Sequence, residues 1–264
     1  MSKRWRVFHR VGVWTGAVFS LFAFGCAGTE GGPWDDPTAT PFNRLCNGNA
    51  RFSSGAIQHP HADRGRRLST LEHGQHPYAT VLTCSDSRVM PEMIFDAGIG
   101  DLFVIRVAGH VCAADETGSI EYAVDHLGTP LLVVMGHEFC GAVTSACHHA
   151  RERGDIPEIL SRIEPSVRAV EQRGPWASDA AMVSAAVREN VVHTIAELTH
   201  RSESVRMAMA SGRLRVLGCV YDLRTGRVTW LDEQPGRSDD KADPDASAAA
   251  SIDECRRKIS PDGR

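Results

Sequence analysis

The chain has 264 residues, 42% of them hydrophobic, 23% charged and 6% aromatic. That composition is ordinary for a globular domain and excludes a collagen, a fully disordered chain and a polytopic membrane protein. With 29 basic against 33 acidic side chains the net charge is −4, so there is no basic excess to grip a nucleic-acid backbone.

Residues 1–25 contain Lys3, Arg4, Arg6 and Arg10 and no acid, and from Val11 to Gly25 only Thr15 and Ser20 are neither apolar nor small. As a helix this run rises about 22 Å, short of the roughly 30 Å hydrocarbon core, so residues 1–26 read as a secretory signal. Ala23-Phe24-Gly25-Cys26 is similar to a bacterial lipobox, in which Cys26 would carry the lipid; Gly25-Cys26-Ala27 offers ordinary signal cleavage instead. The expected destination is the periplasm, free or as a membrane-anchored lipoprotein. The alternative is an uncleaved N-terminus on a cytoplasmic protein. Residues 27–41, rich in Gly, Pro, Asp and Thr, read as a flexible tether.

A single catalytic domain is expected over 42–235. It opens with a short helix from Asn43 to Phe52, followed by a polar stretch, 59–76, whose histidines His59, His61, His73 and His76 are spaced as solvated surface. Strand patterns cover Tyr78–Thr83, Leu102–Arg106, Leu131–Met135 and Leu214–Val220, and helical patterns cover Glu116–Leu127, Gly141–Arg153 and Ala180–Thr199. Arg227–Leu231 adds an edge strand after the Arg224–Gly226 turn. Continuous apolar strands alternating with amphipathic helices predict an α/β fold, a mostly parallel sheet covered by helices on both faces. Residues 236–264 lack a sustained apolar face and read as a disordered tail.

Two strand ends carry the chemistry. The first strand runs into Cys84-Ser85-Asp86-Ser87-Arg88, where extended backbone would put Cys84, Asp86 and Arg88 on one side. Arg88 can hold the Asp86 carboxylate ionised and aimed. The third strand runs into Gly136-His137-Glu138-Phe139-Cys140-Gly141, and the spacing of His137 and Cys140 lets both reach one ion at a turn or helix start. In an open α/β sheet, ligands sit beyond the carboxyl ends of the strands, where both clusters lie. Cys84, His137 and Cys140 supply two sulfurs and one nitrogen, leaving one position for water, which is the plan of a catalytic zinc site. Cys147-His148-His149 also looks metal-like, but successive helical residues face different directions, so a helix surface is expected there.

The motifs Cys84–Arg88 and Gly136–Gly141 resemble those of the β-class carbonic anhydrases, with a plant-like bacterial site. The likeness runs over about residues 43–232 and takes in Gly48–Phe52, Gly118–Ala123 and Val220–Asp222. It implies a zinc lyase, with one zinc per subunit, that interconverts carbon dioxide and bicarbonate as a homodimer or higher homo-oligomer. Cys84, His137 and Cys140 would bind zinc, Asp86 and Arg88 would form the catalytic dyad, and Asp86 would be a conditional fourth ligand. Gln75, nine positions before Cys84, matches a glutamine that hydrogen-bonds substrate. Bicarbonate-inhibited members carry a tryptophan where this chain has Val81, so that allosteric mode is not implied. The family's Arg-Asn-Ala-Gly-Asn is replaced by Arg106-Val107-Ala108-Gly109-His110, which alters the pocket wall; His110 is expected at the surface, with proton shuttling as the lesser reading. Two other readings of the same residues stay open: a non-catalytic zinc-binding scaffold, and a hydrolase of carbon disulfide or carbonyl sulfide.

Overall fold

The computed structural model describes residues 38–231; the signal-like run, Cys26, the tether up to residue 37 and the tail from residue 232 lie outside the described residues. Within them one sheet is ordered β2-β1-β3-β4-β5, with β1 at Ala79–Thr83, β2 at Leu102–Arg106, β3 at Leu131–His137, β4 at Arg215–Tyr221 and β5 at Val228–Trp230. The first four are mutually parallel and β5 closes one edge antiparallel to β4. Strands β1 and β3 are buried along their whole length, which is why they read as unbroken apolar runs rather than alternating ones.

The helices are α1 (Pro41–Ser54), α2 (Arg64–His73), α3 (Pro91–Ile94), α4 (Ala114–Asp125), α5 (Gly141–Cys147), α6 (Ile156–Glu171), α7 (Asp179–Arg201) and α8 (Glu203–Ala210). Alternate strand residues feed two cores. Leu82, Leu132, Val134 and Val220 pack with Ile120 of α4, Val143 of α5, Ile163 of α6, Val187 and Val191 of α7 and Val205 of α8. On the other face, Val81, Val133, Met135 and Cys219 pack with Phe42 and Leu45 of α1 and with Ile94 of α3. The expected α/β fold with both faces of the sheet covered is what the structure has. No described helix is long and apolar enough to cross a membrane.

Local chemistry sets the element ends. Helix α1 starts at Pro41, whose fixed φ suits a first turn, and the Thr40 hydroxyl accepts from the Asn43 N–H at 3.2 Å. Residues 40 and 41, assigned by sequence to the tether, therefore already belong to the folded unit. Helix α5 ends at Cys147 rather than Arg153, because His149 turns to a left-handed φ of 48°. Cys147 is buried, while the imidazoles of His148 and His149 face outward to Asp179 and Glu171. Helix α6 is not anticipated by the sequence reading. Pro165 stands inside it, removing one backbone donor, yet Leu160, Ile163, Val167 and Val170 keep a continuous buried face.

Candidate metal centre

The strand order reverses between β1 and β3: β1 leads outward to β2, and the chain then returns past it to β3. A crevice opens at the carboxyl ends of two such strands, where doubly wound folds place their ligands. Thr83 pairs with Met135, so Cys84, one residue past β1, and His137, at the end of β3, emerge side by side. Cys140 follows as the N-cap of α5. Phe139 makes the turn between them at a φ of 59°. That left-handed conformation is costly for a residue with a side chain and is held by the turn around it.

The three donor atoms lie within 4.8 Å of one another, the one such group of metal-ligating side chains among the described residues. Cys84, His137 and Cys140 are all buried, and the two sulfurs are 4.0 Å apart. The imidazole is fixed in one tautomer, since its Nδ1–H donates to the Glu138 carbonyl at 2.9 Å. That leaves Nε2 with a free lone pair, buried and without a hydrogen-bond partner among the described residues. Such an orphaned atom is rare in a native interior, and here it points to a missing electrophile.

The two thiols are electrostatically unequal. A hydrogen bond from Cys140 is the largest influence holding Cys84 in its ionised form, helped by N–H donors from Asp86 and Gly109, each 3.4 Å from Sγ. The same contact, with burial, pushes Cys140 the other way, so one thiol of the pair ionises in preference to the other.

Asp86 and Arg88 do meet, but by a different route from the one expected. The chain leaves extended geometry after Thr83 and turns, with the Val89 N–H donating to the Asp86 carbonyl at 2.9 Å. The turn carries Arg88 back over Asp86. The guanidinium grips both carboxylate oxygens at 2.9 and 2.7 Å, and the Arg88 N–H adds a third bond at 2.9 Å. This grip holds the Asp86 carboxyl well below the usual carboxylate range. With both oxygens so engaged, Asp86 stands outside the three-donor group.

Arg106, which the sequence reading treated only as part of a motif, pins the loop from beneath. Its side chain donates to the Cys84 carbonyl at 3.1 Å and to the Asp86 carbonyl at 2.6 Å. A cation at the end of β2, beside the loop that follows β1, was the available signal.

His110 is a correction. It is completely buried rather than on the surface, and burial pushes its pKa down to about 4. The helices that cover it, α6 and α7, lie far downstream in sequence, so nothing local announced the burial. At neutral pH the ring is uncharged.

Gln75 is exposed in the segment between α2 and β1. It lines a hollow of about 850 Å³ with Leu71, Ile99, Tyr122 and His126, a set that includes none of the donors nor the Asp86–Arg88 pair. Of the histidines read as solvated, His59, His73 and His76 are exposed, whereas His61 is half-buried against Asp101 at 2.7 Å.

Comparison with known proteins gives the same answer as the motifs. The carbonic anhydrase family profile matches residues 79–228. The carbonic anhydrase of Mycolicibacterium smegmatis is 40% identical over 201 residues, covering 74% of this chain and 94% of the relative. The chain belongs to the β-carbonic anhydrase family. Carbonic anhydrase 2 of Mycobacterium tuberculosis is 38% identical, over 76% of this chain and 95% of its own. Among solved structures, the tetrameric β-carbonic anhydrases of Sordaria macrospora align with a TM-score of 0.58 at 26% identity, covering 64% of this chain and 88% of theirs. In this β-carbonic anhydrase the profile spans β1 to the start of β5, so every residue of the donor cluster and dyad falls inside the matched region.

Proposed function

We infer that the protein catalyses the reversible hydration of carbon dioxide to bicarbonate and a proton, and that Cys84, His137 and Cys140 hold a zinc ion for it. The observation that carries this reading is the convergence of three buried donor atoms, two sulfurs and an imidazole nitrogen with a free lone pair, beside a carboxylate held by arginine. The fit to zinc is metric as well as chemical. Tetrahedral bonds of about 2.3 Å to two sulfurs set them about 3.8 Å apart, against the 4.0 Å found. Thiolate and imidazole donors favour zinc over magnesium or calcium. Bound there, zinc supplies a Lewis acid that brings the pKa of water towards neutrality and polarises what lies in the fourth position.

The remaining work falls to the chain. Asp86 stays ionised across the neutral range and accepts a hydrogen bond from the attacking oxygen, fixing which lone pair faces carbon dioxide. Arg88 holds that carboxylate in place and away from the donors, and its 3.5 Å contact with the Phe139 carbonyl ties the dyad to the His137–Cys140 turn. Arg106 keeps the loop backbone fixed while this happens. The product proton leaves to buffer; neutral, buried His110 is not assigned to carry it. The paired Asp86 and Arg88 favour catalysis over metal storage, which has no use for a positioned acceptor.

We further propose a homo-oligomer. In support, the exposed Leu71, Ile99 and Tyr122 gather around the hollow that Gln75 lines, a face suited to a second copy. The substrate-orienting role proposed for Gln75 then belongs to the assembled protein, in which an exposed amide can be covered.

The test is purified protein with measured zinc, assayed by stopped flow on carbon dioxide, carbon disulfide and carbonyl sulfide. The expected result is one zinc per chain and hydration of carbon dioxide far exceeding turnover of the other two. A zinc-loaded protein without hydration activity overturns the enzymatic reading. We also propose export, on the basic and then apolar residues 1–26, with Cys26 as the candidate lipid carrier. Mass spectrometry of the N-terminus from fractionated cells is expected to show residues up to about Gly25 removed; an intact Met1 in the cytoplasmic fraction refutes it.

A further inference from the structure

We infer that Asn190, on α7, is a positioning residue for the metal centre, setting the hydrogen bond that the Cys84 sulfur receives; the inference rests on the zinc reading above. Asn190 is completely buried and touches none of the three donors through its side-chain hydrogen bonds. Its amide is oriented from behind, because the Ser166 hydroxyl of α6 donates to Oδ1 at 3.2 Å. Nδ2 therefore faces forward. It donates to the Gly109 carbonyl at 2.8 Å and to Nε2 of His110 at 3.1 Å. Gly109 in turn donates its N–H to Cys84 Sγ at 3.4 Å.

The segment that Asn190 holds needs holding. Gly109 and His110 both have left-handed φ values, 69° and 45°, and His110 pays for that with a side chain in place. A side chain at Gly109 would be strained at that φ, and its Cβ would fall 2.6 Å from Ile163 Cδ1, forcing that side chain to shift. Two independent anchors on one amide, 81 and 80 positions away in sequence, fix the turn so that its N–H aims at the sulfur. A donor to a thiolate withdraws electron density from it, so the line Ser166, Asn190, Gly109, Cys84 tunes the ligand rather than the reacting atoms.

The experiment compares Asn190→Ala with Asn49→Ala. Asn49, on α1, is an equally buried amide that donates to the Ile94 and Gly226 carbonyls and accepts from the Val228 N–H, and none of these partners hydrogen-bonds a donor sulfur or imidazole. Zinc retention against a competing chelator is measured, together with the sulfur-to-metal charge-transfer band of the cobalt-substituted protein. Asn190→Ala is expected to weaken zinc retention about 10- to 100-fold and to move the band to lower energy. Asn49→Ala is expected to lower the melting temperature comparably and leave both readouts at wild type. Ser166→Ala, a milder change, is expected to shift both readouts in the same direction by a smaller factor, and it carries the test if Asn190→Ala does not fold. Wild-type retention and band position in the folded variant, or equal shifts from Asn49→Ala, overturn the inference. A wild-type protein that takes up no zinc overturns the metal-site reading instead, so the two failures are distinct.

Discussion

Replacing Cys140 by alanine is expected to remove metal and activity together. Zinc per chain should fall below about a tenth of the wild-type content, and carbon dioxide hydration by at least about a thousandfold, since water at its ordinary pKa offers almost no nucleophile at neutral pH. The reason lies in the count and type of donors. Two remaining ligands, one sulfur and one nitrogen, cannot close a tetrahedron around a hydrated ion, and no second cluster of three metal-ligating side chains exists among the described residues. Cys140 is also fully buried at the start of α5, so alanine leaves a small void rather than a new contact. Elemental analysis and stopped-flow assay on the same preparation check the prediction. Full zinc content in the variant would mean that the cluster has been misread.

The second large effect separates metal from chemistry. Asp86→Asn preserves shape but cannot bear the charge that Arg88 grips, and its amide nitrogen meets the guanidinium donors with further donors. Zinc should remain at one per chain while kcat falls about a hundredfold or more, the range associated with a displaced proton acceptor. Arg88→Gln should produce a loss of similar direction, because the carboxylate is released from its clamp. The double variant should be little worse than the more damaging single one, since both changes remove the same arrangement. Wild-type kcat in Asp86→Asn would take the carboxylate out of the reaction.

What could be read from the chain was what local pattern encodes. Strand β2 has the bounds its apolar run suggests, and β1, β3 and β4 differ from expectation by a residue or two at their ends. The donor set was legible because thiol and imidazole at strand ends are chemically odd, whichever way the backbone turns. The Asp86–Arg88 pairing was legible as a pairing but not as a shape: alternation in an extended segment suggested it, whereas a turn produces it. His110 and Asn190 were hidden for a different reason. Their meaning comes from α6 and α7 closing over the turn after β2, and an amide within an amphipathic helix carries no mark of what it will meet. Helix α6 was obscured by Pro165, a breaker in any local reading that the packed face around Ile163 and Val167 overrides.

The donors come from neighbouring strands rather than from one continuous motif. Cys84 and Cys140 are 56 positions apart, yet Thr83 and Met135 are direct partners in the sheet. Adjacent strands lie about 4.8 Å from each other whatever connects them. The spacing of the strand ends is thus inherited from backbone pairing, and the exposed parts of the intervening excursion, away from the Asp86–Arg88 turn, Arg106 and the Gly109–His110 turn, are free to lengthen, shorten or diverge. Insertions placed on the surface of that excursion should leave the ion's cage dimensions intact, which makes it the natural place for such proteins to acquire new appendages without retuning their chemistry.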